Sequence, residues 1–166
     1  MSKITKMAAA KSQDERCLEA ALRLLDYRPR SEAEIRERLK RRGFDRGGIE
    51  KTITQLKERG LVDDAAFARF WKENRASFRP RSQHLTRLEL RQKGLNADII
   101  ETVIADIDDS DSAYRAAQSR VRRLATLDHQ NFRRRLGEYL RRRGFGYEVI
   151  NHTVARLWQE KQGSPG

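Results

Sequence analysis

Arginine is the residue through which this chain can do chemistry with a partner. Three arginines stand together at Arg133-Arg134-Arg135 and three more at Arg141-Arg142-Arg143, and a turn reads Phe78-Arg79-Pro80-Arg81, followed by Arg87 and Arg91. A guanidinium stays charged throughout the physiological range, and its fork of N–H groups matches the oxygens of a phosphate or carboxylate. The expected chemistry is therefore adhesion to a polyanion. With Phe132, Leu136 and Leu140 taken as the inward face of a helix, 100° per residue places Arg134 and Arg141 almost opposite the core. Arg135 and Arg142 fall beside them, with Arg133 and Arg143 nearer the packed edge. An earlier helix of similar make-up offers Glu32–Arg36, Glu34–Arg38 and Glu37–Arg41 as i, i+4 pairs, each contributing about 0.2–0.5 kcal/mol. Around Arg133–Arg143 only Glu138–Arg142 repeats that arrangement. The Arg134/Arg141 face, with Arg135 and Arg142, is thus the less neutralised candidate contact; Arg79, Arg81, Arg87 and Arg91 form a second, weaker one.

Other reactive residue types lack the spacing that chemistry requires. His84, His129 and His152 are far apart, with no Cys or carboxylate at metal-ligand spacing. Gly43, Gly47 and Gly48 have no following Gly-Lys-Ser/Thr and no preceding strand, so they make no phosphate loop. Cys17 is the single cysteine and reads as a half-buried packing residue. Asp63-Asp64 and Asp108-Asp109 precede helices, where capping explains them. Trp71 and Trp158 fall at core spacing, while Phe78 fits no apolar stripe. Neither catalysis, metal nor cofactor is expected.

The elements that position these arginines repeat about every fifty residues. Leu39-Lys40-Arg41-Arg42-Gly43-Phe44, Leu90-Arg91-Gln92-Lys93-Gly94-Leu95 and Leu140-Arg141-Arg142-Arg143-Gly144-Phe145 share one pattern. Six residues beyond each glycine stands Ile49, Ile100 or Ile150. Glycine admits the left-handed conformation that ends a helix, and the apolar residue after it packs back on the last turn. Reading outward gives nine helices and no period-two alternation. Ser31 and Glu34 form a capping box. Inward positions include Leu18, Ala21, Leu22 and Leu25; Phe67, Phe70 and Trp71; and Leu85, Leu88 and Leu90. The expected fold is all-α, with three tandem three-helix repeats (12–61, 62–109 and 110–161) stacked into an elongated, curved body between tails at 1–11 and 162–166.

Composition agrees with an array of small units. Of the residues 36% are charged and only 37% hydrophobic, which is thin for one large round core. The formal net charge is +12, which favours polyanionic partners. It is unevenly spread: 16 basic against 10 acidic residues over 1–61, 8 against 9 over 62–109, and 12 against 5 over 110–166. With one cysteine, no apolar run of membrane-spanning length and no export signal, a cytoplasmic protein without membrane partners is expected, by default a monomer.

Leu61-Val62-Asp63-Asp64-Ala65-Ala66-Phe67-Ala68-Arg69-Phe70, with Arg75, resembles the signature stretch of the RecX family. Leu85-Thr86-Arg87-Leu88-Glu89-Leu90-Arg91-Gln92-Lys93-Gly94-Leu95 is similar to that family's leucine-rich segment, and the block from Leu22 to Leu61 also matches. Ser82-Gln83 departs from the Gly-Pro of many relatives, although serine can cap the helix there. The resemblance spans roughly residues 15 to 160. It implies a regulator that binds the RecA–single-stranded DNA filament in its groove and mainly inhibits RecA in recombination, DNA repair and the SOS response. The residues alone leave two alternatives: a sequence-tolerant DNA-binding protein of tandem helix-turn-helix units, and a helical scaffold.

Overall fold

A computed structural model describes residues 10–164. Among these residues the chain forms nine α-helices, one 3₁₀ turn and no strand. The helices are α1 (Gln13–Tyr27), α2 (Glu32–Arg41), α3 (Arg46–Glu58), α4 (Asp64–Phe78), α5 (Gln83–Gln92), α6 (Ala97–Ile104), α7 (Asp109–Val121), α8 (His129–Arg142) and α9 (Tyr147–Gly163), with the 3₁₀ turn at Arg122–Leu124. Of the expected tails, residues 1–9 and 165–166 lie outside the described residues, whereas Gln162 and Gly163 belong to the last turn of α9. Two compact units result. One holds the chain up to Phe67 together with Lys93–Leu95; the other holds Ala68–Gln92 and everything from Asn96 onward.

Local chemistry sets the helix starts of the first unit. Ser12 and Glu15 make a capping box on α1, and Ser31 and Glu34 make the expected one on α2. Asp45 caps α3 by accepting from Gly48 N–H at 2.7 Å. The helices close over Cys17, Ala21, Ile35, Leu39, Ile53 and Leu56. Cys17 is fully buried rather than half-buried, because α3 covers the side of α1 on which it sits. Lys93 to Leu95 complete this unit. The Lys93 carbonyl accepts from Ser31 Oγ at 2.7 Å, and Gly94, at φ +78°, lies so close to Ala33 that any Cβ there would collide with it.

The second unit builds a joint from equivalent residues. Ser82 Oγ accepts from Leu85 N–H at 3.0 Å, so serine does cap α5. The N–H of Ser82 itself donates to the Arg143 carbonyl at 3.1 Å. Gly144 (φ +89°) ends α8 directly against this cap; a Cβ would meet Ser82 Oγ and approach Leu85 Cβ to 2.7 Å. The paired aspartates serve both joints. Asp63 and Asp108 cap their own helices, α4 and α7. Asp64 instead accepts from Glu32 N–H at 2.9 Å, at the start of α2, and Asp109 from Gln83 N–H at 2.8 Å, at the start of α5. The larger core lies among α7, α8 and α9, around Ala113, Ala117, Phe132, Leu136, Leu140 and Leu157.

Two expected core residues lie at the surface. Phe70 is 41% exposed, because Phe67 and Ala68 hold the inward face of α4 and Phe70 falls outside the arc they span. Leu88 is exposed because Thr86, Glu89 and Leu90 turn inward on α5, placing it on the opposite side. Trp71 is half-buried, with its indole N–H donating to Glu89 at 2.7 Å. Trp158 packs its ring on Phe132 and His129 at centroid distances of 5.2 and 4.9 Å.

Candidate polyanion-binding site

Helix α8 carries the densest charge of the second unit. Asp128 caps its start by accepting from Asn131 N–H at 2.9 Å, and Phe132, Leu136, Tyr139 and Leu140 are its buried face. That face leaves Arg133, Arg134, Arg135, Arg141 and Arg142 exposed, while Arg143 is half-buried. Arg134 donates to Asn131 at 3.3 Å. The Glu138–Arg142 pair expected from spacing does not form among the described residues, which leaves the α8 arginines still less neutralised. In the first unit, Glu32–Arg36 and Glu37–Arg41 pair at 2.9 Å as expected. Glu34–Arg38 does not, because Glu34 turns to Arg28 and Lys93, at 2.8 and 2.9 Å.

Of the weaker set, Arg87 is not a free cation. Glu101 on α6 holds it through two hydrogen bonds of 2.6 and 3.2 Å. That hydrogen bonding pushes the guanidinium pKa above its ordinary value. Arg91 is exposed at the end of α5. Arg79 and Arg81 lie in the turn between α4 and α5, where the end of α8 rests on Ser82. The hydrogen bond from Ser82 to the Arg143 carbonyl therefore merges two clusters that looked separate in the sequence.

The merged feature is an open recess of about 390 Å³ lined by Arg79, Arg81, Leu85, Arg120, Tyr139, Arg142 and Arg143. Arg81 is pinned from behind by an ion pair with Glu89, which is itself buried and also binds Arg75 and Trp71. Arg120 and Arg143 lie over the ring of Tyr139, at 4.7 and 4.5 Å from its centroid. Burial raises the Tyr139 pKa, yet hydrogen bonding with Ser119 and Arg120 and the charges of Arg143 and Arg120 outweigh it, leaving the phenol below its ordinary value. Arg79, Arg120, Arg142 and Arg143 have no carboxylate partner among the described residues. Sequence reasoning missed Arg120, Tyr139 and Arg143, which reach the recess only through the packing of α7 and α8. Among the described residues there is no cluster of His, Cys, Asp or Glu able to hold a metal, and no helix long and apolar enough to cross a membrane.

Comparison with known proteins gives one consistent result. Residues 17–56, 63–104 and 107–154 match the family models for the first, second and third three-helix domains of RecX. The chain is 33% identical over 150 residues to the regulatory protein RecX of Chlorobium phaeobacteroides (strain BS1), covering 90% of this chain and 99% of that one. It is 36% identical over 144 residues to the regulatory protein RecX of Chlorobaculum tepidum, covering 87% and 89%. Its fold is similar to the crystal structure of RecX from Lactobacillus salivarius, with a TM-score of 0.74, 20% identity, and coverage of 89% of this chain and 97% of that one.

Proposed function

Because this chain belongs to the RecX family of regulatory proteins, we propose that it binds the RecA–single-stranded DNA filament in the cytoplasm, as a monomer, and mainly inhibits RecA in recombination, DNA repair and the SOS response. The observation that carries this reading is the run of arginines on α8 that no carboxylate among the described residues answers. A cationic face suits a groove whose floor is nucleic acid and whose walls are protein. Arg134, Arg135, Arg141 and Arg142 supply the main contact, with Arg79, Arg81 and Arg91 adding to it. Arg87, held by Glu101, contributes least.

A test with purified components follows RecA-dependent ATP hydrolysis on single-stranded DNA. The wild-type protein should suppress hydrolysis well below the concentration at which it coats naked DNA. The double variant Arg134→Glu/Arg141→Glu should keep its helical circular dichroism and lose most of that suppression. Inhibition seen only at DNA-saturating protein would indicate a DNA-binding protein acting alone, and undiminished inhibition by the variant would remove α8 from the contact.

A further inference from the structure

We infer that the arginine recess between the α4–α5 turn and the end of α8 is a binding site for the phosphodiester backbone of single-stranded DNA. Arg79, Arg120, Arg142 and Arg143 converge there without a carboxylate, around Tyr139. This site deepens the function proposed above, whose filament contains such a strand, and assigns the strand contact to particular residues.

The recess differs from its counterpart in the first unit in a way that general surface charge does not explain. The turn Tyr27-Arg28-Pro29-Arg30 is equivalent to Phe78-Arg79-Pro80-Arg81. There, Arg28 is bound by Glu34 through hydrogen bonds of 2.8 and 3.3 Å, and Arg30 donates to the Leu24 carbonyl at 3.0 Å. The residue equivalent to Glu34 is Leu85, which lines the recess and leaves Arg79 without a carboxylate partner among the described residues. Arg143, half-buried in the lining of the recess, adds a further cation, and its Nε, shut off from solvent, has no hydrogen-bond partner among the described residues. Burial, followed by repulsion from Arg75, Arg143 and Arg79, pulls the Arg81 guanidinium below its usual pKa, as expected beside excess positive charge.

Several guanidinium forks around one small recess suit the oxygens of a phosphate, each of which accepts more than one hydrogen bond. An acidic protein segment would satisfy charge alone. The neighbouring Phe78 favours nucleic acid: this residue, next to Arg79 in the chain, is 78% exposed. An exposed aromatic next to a cationic channel is the pairing by which proteins hold single strands, with bases stacked on the ring and phosphates at the arginines.

The test uses the full-length protein and a fluorescent oligothymidylate, followed by anisotropy across a salt series. Arg79→Gln/Arg142→Gln changes two exposed side chains that have no carboxylate partner among the described residues, and the melting temperature checks that the fold is kept. Arg122→Gln/Arg123→Gln removes equal charge from exposed positions outside the recess. The recess variant should bind about tenfold more weakly and lose about 1.4 from the slope of log K against log salt, the share of two single-strand phosphates. The control should change much less. Equal losses in both variants, or effective competition by polyglutamate at matched charge, would overturn the site. The outcomes are separable from the proposed function: oligothymidylate binding lost in the recess variant alone sustains the site even if RecA hydrolysis is never suppressed, and suppression by a protein whose recess variant still binds the strand defeats the site alone.

Discussion

At the scale of single residues, one carboxylate is answered three times while several arginines have no carboxylate partner among the described residues. Glu34 is partly buried, which alone would raise its pKa. Hydrogen bonds from Arg28, Lys93 and the Ser31 backbone overcome that and hold it at about 2. A carboxyl whose folded pKa lies below its unfolded value stabilises the fold above the unfolded pKa and loses that contribution as pH falls through the folded one. From about 4.5 down to about 2, Glu34 should therefore give up on the order of 3 kcal/mol. Urea unfolding across this range should show Glu34→Gln less stable than wild type at pH 7 and less sensitive to acid; parallel curves would rule out the assignment. Glu34 was legible in the sequence as a capping residue, because a capping box is a local pattern. Its diversion from Arg38 to Arg28 and Lys93 was not, since Lys93 lies 59 residues away. Arg120, Arg143 and Tyr139 were hidden for the same reason: no spacing along one helix announces a contact made between helices.

At the scale of elements, the repeated glycines do two different jobs. Gly43 and Gly144 both end helices at φ +89°, but a Cβ on Gly43 meets nothing, whereas one on Gly144 meets Ser82 and Leu85. Gly43→Ala should cost about 1–2 kcal/mol, the left-handed backbone penalty alone. Gly144→Ala should cost clearly more, because the cap of α5 must also move, and it should weaken oligothymidylate binding by shifting Arg143. Chemical denaturation of the two variants checks the order; equal losses would mean that the α8–α5 joint contributes no tightness. The sequence revealed these helix ends, because a leucine, basic residues, a glycine and an apolar residue keep one offset three times. It also revealed the all-helical class, through apolar periodicity. It overestimated the buried stripes at Phe70 and Leu88, since periodicity marks a face but not its width.

At the scale of the whole molecule, charge is the property that the sequence exposes most directly and places least well. The +12 excess lies in residues 1–61 and 110–166, yet much of the first share is answered within α2 and by α3, as Arg36 shows by binding both Glu32 and Glu50. Association with RecA-coated single strands should weaken linearly in log K with log salt, by about 0.7 for each phosphate contacted. A flat salt response in a filament-binding titration would point to an apolar interface instead. The second aspartate of each pair has a consequence for how such chains can be cut and spliced. Asp64 belongs to the second fifty-residue cassette but caps the start of α2 in the first, and Asp109, where α7 begins, likewise caps the start of α5. A truncation made at the apparent seam, just after Leu61, would strip α2 of a partner that its own cassette does not encode. Grafts between relatives should accordingly be joined downstream of the aspartates, inside α4 or α7, so that donor and recipient each keep a finished helix end.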